Sequence, residues 1–353
     1  MPNGALIAAQ YRTAITTGGL CVRADRGLIQ VTGADRATWL NNLVTNAVKT
    51  LRPGEGRYAF APDTKGHIVA DLNVLAFEDR LWLDLDRRWI EQAVAHLNRH
   101  LIVEDVALAD ISAHTCRIAV LGPRAGDVVR SLGLGDLAAM GQLRHVRGRL
   151  GDAEVRVLRN DFAGSPTAEF IILRDEGSAP PAERPMREIS RVSGDLGLVA
   201  LDQPVVDILR IEAGIPASIE DIDEDVLPPE TGQIERGIDY HKGCYLGQEI
   251  IERMRSHGVL ARRLVGLRIA GDMLVPPQST IRVGQSLIGL TRSCCWSEAL
   301  ATVLALAYVK TAYAEAGVEI LVGTAEGNRE GMIVVLPFRP GAPGERRPIE
   351  PDK

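Results

Sequence analysis

Near residue 258 the sequence changes texture, and that change restricts the possible folds more than any single motif does. Upstream, short runs rich in β-branched residues alternate with stretches whose apolar residues recur every three or four positions, the signatures of strands and helices in turn. Leu28-Ile29-Gln30-Val31-Thr32-Gly33 reads as a strand closed by a glycine turn, and 34–43 as a helix with Ala37, Leu40 and Leu43 on one face. Residues 57–60, 68–74 and 81–85 read as further strands, the first two joined by the hairpin turn Asp63-Thr64-Lys65-Gly66. A helix over 88–100 buries Ile90, Val94 and Leu97.

A second αβ segment has strands at 117–123, 155–158 and 170–173, a helix at 125–132, and a Pro- and Gly-rich surface loop or linker over 175–185. A helix over 205–212 is closed by Gly214 and Pro216. Downstream of 258 only short alternating strands follow, at 264–269, 280–283 and 287–291, with glycine turns between them. The pattern predicts an α+β protein: two αβ domains, 1–110 and 111–257, which have room to interleave, then a compact β domain over 258–338. A length of 353 residues, with 46% apolar and 24% charged residues, suits two or three cores in a soluble globular chain. Residues 339–353, with almost no apolar side chain, read as a disordered tail.

Composition excludes several functions. Aromatics at 4% do not furnish a stacking platform for single-stranded nucleic acid, and a net charge of −6 gives no overall attraction to phosphate or anionic lipid. Five cysteines (Cys21, Cys116, Cys244, Cys294, Cys295) lack the spacing of a disulfide framework, which points to a reducing compartment. The N-terminus carries no basic leader, and the longest apolar runs, such as 299–309, fall short of the roughly 20 residues a bilayer requires. The expectation is a soluble cytoplasmic protein that uses no membrane.

Nucleotide and metal signals are missing. There is no Gly-rich phosphate loop, and Gly133-Leu134-Gly135 lacks the third glycine of a dinucleotide turn. With no Cys-x-x-Cys pair and no His-Glu-x-x-His, no metal site is expected. Charge clusters in one place: residues 220–239 hold eight acids against Arg236, and 241–268 hold six bases against Glu249 and Glu252. This reads either as a solvated loop followed by a surface helix or as a basic rim that attracts an anion.

Between those runs lies Lys242-Gly243-Cys244-Tyr245-Leu246-Gly247-Gln248-Glu249. A cysteine just ahead of a helix meets unpaired N–H groups, and Lys242 adds positive charge; both favour the thiolate that attacks electrophiles or ligates metal. His241 stands three residues before it but reads better as a surface histidine. Most lone cysteines simply pack, so spacing leaves a functional and a structural Cys244 both open.

The same eight residues, with Arg253, resemble the hallmark of YgfZ-type folate-binding proteins, members of the glycine-cleavage T-protein (aminomethyltransferase) superfamily that include iron–sulfur assembly factors. The resemblance runs in order over roughly 20–338. It takes in Val31-Thr32-Gly33-Ala34-Asp35, Gly66-His67-Ile68-Val69-Ala70-Asp71-Leu72, Leu209-Arg210-Ile211-Glu212-Ala213-Gly214 and Ile288-Gly289-Leu290-Thr291-Arg292-Ser293.

It implies three domains ringed about a folate-sized cavity, the last a small β-barrel, with tetrahydrofolate as cofactor. It further implies Cys244, Lys242 and Asp71 as catalytic residues, and Glu212, Asp71, Asn73, Tyr245, Gln248 and Arg253 as folate contacts, Glu212 on the pterin. T-proteins carry two aspartates where this chain has Ala70-Asp71, and they lack the cysteine. On that basis the leading expectation is a tetrahydrofolate-binding accessory protein for iron–sulfur cluster assembly or repair. Its partners would be the assembly machinery or cluster-dependent client enzymes and it would act as a monomer; the basic run leaves room for tRNA or another nucleic acid, but direct binding of one is not expected. A folate-dependent aminomethyltransferase or demethylase, and a folate-independent thiol module, are the alternatives.

Overall fold

The structure, a computed structural model, describes residues 4–173, 183–257 and 260–339. Elements are numbered in chain order. One antiparallel sheet has the order β3-β4-β5-β2-β6, built from β2 (Arg26–Thr32), β3 (Gly56–Pro62), β4 (Ile68–Ala76), β5 (Leu81–Asp86) and β6 (Ala107–Asp110). Helices α2 (Arg36–Asn41) and α3 (Ile90–Asn98) belong to the same unit. The β3–β4 hairpin turns at 63–66, where Asp63 Oδ1 accepts from the N–H groups of Lys65 and His67 and so supplies the turn that this composition predicts.

The second sheet has the order β11-β1-β7-β10-β9-β8. It contains β1 (Gly19–Val22), β7 (Thr115–Leu121), β8 (His145–Leu150), β9 (Ala153–Arg159), β10 (Thr167–Leu173) and β11 (Val199–Ala200), with α4 (Ala125–Ser131) and α5 (Glu183–Asp195) packed against it. Residues 175–182 of the expected linker lie outside the described residues. Glu183 to Pro185, placed in that loop by sequence, instead open α5; a proline in the first helical turn removes an N–H that has no helical partner.

The two αβ units interleave, and the chain passes between them three times. Strand β1 pairs with β7 and β11 in the second sheet, while Ile222, Val226, Ile238, Tyr245 and Ile251 return to the core of the first. Helices α1 (Gly4–Thr16) and α6 (Gln203–Glu212) pack together with β1 and β7 in a separate apolar cluster through Tyr11, Ala14, Leu201, Val205 and Leu209.

Six strands form a closed barrel in the order β12-β15-β14-β13-β16-β17: β12 (Arg262–Ile269), β13 (Thr280–Val283), β14 (Ser286–Ser297), β15 (Thr302–Lys310), β16 (Glu319–Thr324) and β17 (Gly327–Val334). The apolar run at 299–309 becomes β15, which pairs with both β12 and β14. It is apolar on both faces because both are buried: Val303, Ala305, Ala307 and Val309 fill the barrel, and Leu304, Leu306 and Tyr308 pack on the core of the first sheet. A bulge in β14 precedes Cys294 and Cys295, and alternation then sends Cys294 toward the barrel core and Cys295 toward the first unit.

The fold is thus α+β, with two sheet-rich units and a closed C-terminal barrel. Residues 340–353 of the expected tail lie outside the described residues, while Arg339 is held by Glu212. Among the described residues no helix is long and apolar enough to cross a membrane.

Candidate functional site

A cavity of about 400 Å³ opens between the first sheet, the turn after β9, the start of α6 and the loop after it; Tyr58, Asp71, Asn73, Asn160, Phe162 and Arg236 are among its walls. A wider groove of about 820 Å³ lies against the barrel, but Arg268, Glu319 and Glu330 there are exposed strand residues and no catalytic constellation converges on it.

Strand alternation sets the cavity's polar wall. Asp71 and Asn73 leave β4 on the same side, opposite Phe60 and Tyr58 of β3 in register. The Asp71 carboxylate, 8% exposed, accepts from the Tyr58 hydroxyl at 2.9 Å and the Ser218 hydroxyl at 2.5 Å. Burial, and next the Asp71 carboxylate, push the Tyr58 phenol well above its usual range, so it stays a donor. The Arg236 guanidinium stacks 4.0 Å over the Tyr58 ring. Ala70, between Val69 and Asp71, is fully buried in the apolar core of the first sheet.

Behind this wall a buried ionic network joins the two sheets. Asn73 Nδ2 donates to Asp84 Oδ2 at 2.9 Å, and Asp84 Oδ1 accepts from Arg26 Nε at 3.0 Å and Arg117 Nη1 at 2.8 Å. The same Arg117 nitrogen donates to Glu169 Oε2 at 2.8 Å, and Glu169 Oε1 accepts from Asn160 Nδ2 at 2.9 Å. Burial alone would raise the Asp84 carboxyl, but Arg117 and Arg26 outweigh it and hold it well below the ordinary carboxylate range. Arg23 covers the Phe162 ring at 3.8 Å and also reaches Glu169 and Asp25.

Of the residues that the resemblance brings to the folate, Asp71 and Asn73 line this cavity and the others do not. Glu212 is 2% exposed and accepts from the Tyr11 hydroxyl at 2.8 Å, the Ser297 hydroxyl at 2.6 Å and Arg339 Nη1 at 3.2 Å. Two positions along a helix turn a side chain through about 200°, so Arg210 of α6 lines the cavity and Glu212 faces α1 and the barrel. Glu212, which the resemblance assigns to the pterin, thus lies outside the wall of this cavity.

The 242–249 motif acts as a clasp. Lys242 Nζ donates to the carbonyls of Asn41, Val44 and Asn46 at 2.5, 2.6 and 2.9 Å, closing the C-terminal end of α2. Its charge is therefore directed at backbone rather than at Cys244. Gly247 has φ +75°, and a Cβ there would lie 2.5 Å from the Asp63 carbonyl oxygen; only glycine lets the motif seat on the hairpin turn. Tyr245 is buried in the core of the first sheet, and Gln248 Oε1 accepts from its N–H. Cys244 is exposed, and α8 (Gln248–His257) begins four residues after it. Arg253 pairs with Glu249 on the exposed side of α8.

Neither reading of the charge runs holds in full. Fully buried Asp221 accepts from Arg210 and from Ser293 of β14, Asp223 from Arg292, and Glu230 from Arg262, so the acids fasten the barrel to the αβ units. Arg255 pairs with Glu252, and no basic rim faces the cavity from 242–268. Among the described residues no group of three or more His, Cys, Asp or Glu side chains is arranged to hold a metal ion.

Sequence reasoning missed Tyr58, Asn160, Phe162, Ser218 and Arg236. Tyr58 was within reach, since the hairpin turn fixes its register opposite Asn73; Asn160 and Phe162 arrive from the other sheet and leave no local signal.

A three-unit α+β chain with a closed C-terminal barrel and an acid-bearing cavity in its αβ part defines a class that known proteins share. Residues 4–240 match the family model "GCVT N-terminal domain", and 262–339 match "Glycine cleavage T-protein C-terminal barrel domain". The chain belongs to the glycine-cleavage T-protein family. Proteins of this family use tetrahydrofolate. The chain is similar to a protein named aminomethyltransferase from Halalkalibacterium halodurans, 26% identical over 94% of this chain and 89% of the relative. A second aminomethyltransferase, from Rubrobacter xylanophilus, is 28% identical over 94% and 86% of the two chains. The fold superposes on the glycine cleavage system aminomethyltransferase T from Bartonella henselae with a TM-score of 0.84, at 18% identity over 95% of this chain and 90% of that one.

Proposed function

We propose that this chain is a folate-dependent one-carbon transferase of the aminomethyltransferase kind, which takes a one-carbon unit from an aminomethyl or methyl donor onto tetrahydrofolate held in the cavity. The observation that carries this reading is the opposed placement of Ala70 and Asp71. The acid that this chain lacks relative to T-proteins falls at a position buried in apolar core, and the acid that it keeps faces the cavity. Loss of a carboxylate at 70 removes nothing from the site.

The cavity suits the ligand. Its volume lies in the range of small-molecule sites. Tyr58, Phe162, Val206 and Pro216 offer apolar surface to a flat ring, and Asp71, Asn73 and Asn160 offer acceptors to its N–H groups. Arg236, for which no carboxylate partner is found among the described residues, is available to a carboxylate at the mouth. Bound folate supplies the amine nitrogens that accept the one-carbon unit. Asp71 stabilises positive charge at such a nitrogen or accepts its proton, and Tyr58 and Ser218 fix both carboxylate oxygens while leaving lone pairs toward the cavity.

The iron–sulfur accessory reading has less support. It rests on Cys244, whose presumed activator Lys242 is bound to three carbonyls and whose loop is not part of the cavity wall. The relatives described above carry the aminomethyltransferase name.

The test pairs an equilibrium titration with tetrahydrofolate and a turnover assay with aminomethyl and methyl donors. Asp71→Asn is expected to lower kcat about 10²- to 10³-fold and to change folate affinity little. Absence of binding at millimolar tetrahydrofolate overturns the reading; binding without turnover of any donor returns the advantage to the accessory role.

A further inference from the structure

The network behind the cavity fixes more than two sheets. Asn73 and Asn160 stand at its two ends, one on β4 of the first sheet and one just after β9 of the second, and both line the cavity. Each amide meets a carboxylate paired with Arg117, Asp84 for Asn73 and Glu169 for Asn160. A carboxylate only accepts, so the NH₂ group of each amide must point inward, and the carbonyl oxygen of each is left for the cavity. Neither orientation can invert, because an inverted amide would set its oxygen against a buried carboxylate that Arg117 holds from the other side. Among the described residues neither Oδ1 has a donor, and neither is sealed from solvent.

We infer that Asn73 and Asn160 form a preset pair of acceptors that reads an N–H-bearing group of the substrate bound in this cavity, either the aminopyrimidine edge of the folate or the amine of the one-carbon donor. The inference rests on the cavity being the folate and donor site. It also answers a question that Glu212 raises. With that carboxylate turned to Tyr11, Ser297 and Arg339, N–H groups in the cavity need acceptors from elsewhere, and rigid carbonyl oxygens provide them without a second charge beside Asp71.

Asn73→Ala and Asn160→Ala remove one acceptor each and leave the ion pairs standing, since Asp84 keeps Arg26 and Arg117, and Glu169 keeps Arg117 and Arg23. Asn160→Ser is a second, milder variant, and thermal unfolding of all three controls for folding. Tetrahydrofolate and its 2-desamino analogue are titrated into each protein, and the donor KM is measured at saturating tetrahydrofolate. A loss of about tenfold in affinity for tetrahydrofolate but not for the analogue supports the inference with the folate as the group read. A rise of similar size in donor KM at unchanged folate affinity supports it with the donor as the group read. Equal losses for both folates with an unchanged donor KM, or no loss at all, overturn it. Wild-type protein that binds no tetrahydrofolate sinks the folate reading and this inference together, whereas a wild type that binds tetrahydrofolate, with affinity and donor KM both indifferent to the substitutions, sinks only the inference.

Discussion

Ala70 and Asp71 are adjacent in β4 and leave it on opposite sides, Ala70 into the apolar core of the first sheet and Asp71 into the cavity. Restoring an aspartate at 70 would therefore place a carboxylate among Leu72, Leu85 and their apolar neighbours in that core. Ala70→Asp is expected to destabilise the protein by on the order of 3–5 kcal/mol and to add no turnover, as read by urea unfolding and the folate assay.

Lys242 is expected to matter for stability rather than for chemistry. Lys242→Met keeps the side-chain length and leaves the carbonyls of Asn41, Val44 and Asn46 without their donor. A loss of about 2–3 kcal/mol in unfolding free energy should follow, with faster amide exchange around 41–46 and tetrahydrofolate affinity close to wild type. A stable variant with abolished turnover would instead restore Lys242 to the chemistry.

Thiol chemistry gives an independent check on Cys244. Burial pushes the Cys21 thiol up to about 12 and the Cys294 thiol up to about 11, and it also raises Cys295. Cys244 is exposed. Brief alkylation of the native protein, mapped by mass spectrometry, should mark Cys244 ahead of those three. Cys244→Ala should shift stability by no more than about 0.5 kcal/mol and leave folate turnover intact.

His145 links stability to acid. Its Nε2 lies 3.1 Å from the Ala76 carbonyl oxygen in a buried site, and burial, with Arg156 nearby, lowers its pKa to about 4. The unfolded chain, with histidine near 6.5, takes up the proton first, so stability is full above pH 6.5 and falls as pH drops toward 4. At most roughly 3 kcal/mol is at stake. His145→Gln should flatten the difference in unfolding free energy across that window; an unchanged slope would show that His145 does not carry it.

Much of the fold was legible. The strands at 26–32, 68–76 and 81–86 and the helices at 90–98 and 203–212 follow period and turn chemistry, and the hairpin turn at 63–66 announces itself. The expected strands missed β15 because it is buried on both faces and so shows no alternation. Strand β1, four residues long, is held by partners about a hundred or more positions away, which no local window detects. The site was legible only where one strand carries it, at Asp71 and Asn73. Glu212, Lys242, Asp221, Asp223 and Glu230 have the charges of a binding site, yet tertiary partners claim each of them, and a sequence does not reveal which charge will find which partner.

The place of β1 also bears on how the chain comes off the ribosome. Gly19 pairs with Leu121 on one side and Val199 on the other. The first sheet can close once residue 110 has emerged, but the opening segment must wait for residue 199 before its strand is flanked on both edges. At ordinary elongation rates that interval is roughly ten to forty seconds. Strand β7 can cover one edge of β1 once residue 121 has emerged, but the other edge stays open until β11 follows, the circumstance in which nascent chains pair wrongly or recruit chaperones. The αβ units are therefore not separable parcels: a fragment that begins after β1, or stops before β11, would leave the second sheet with a missing rung.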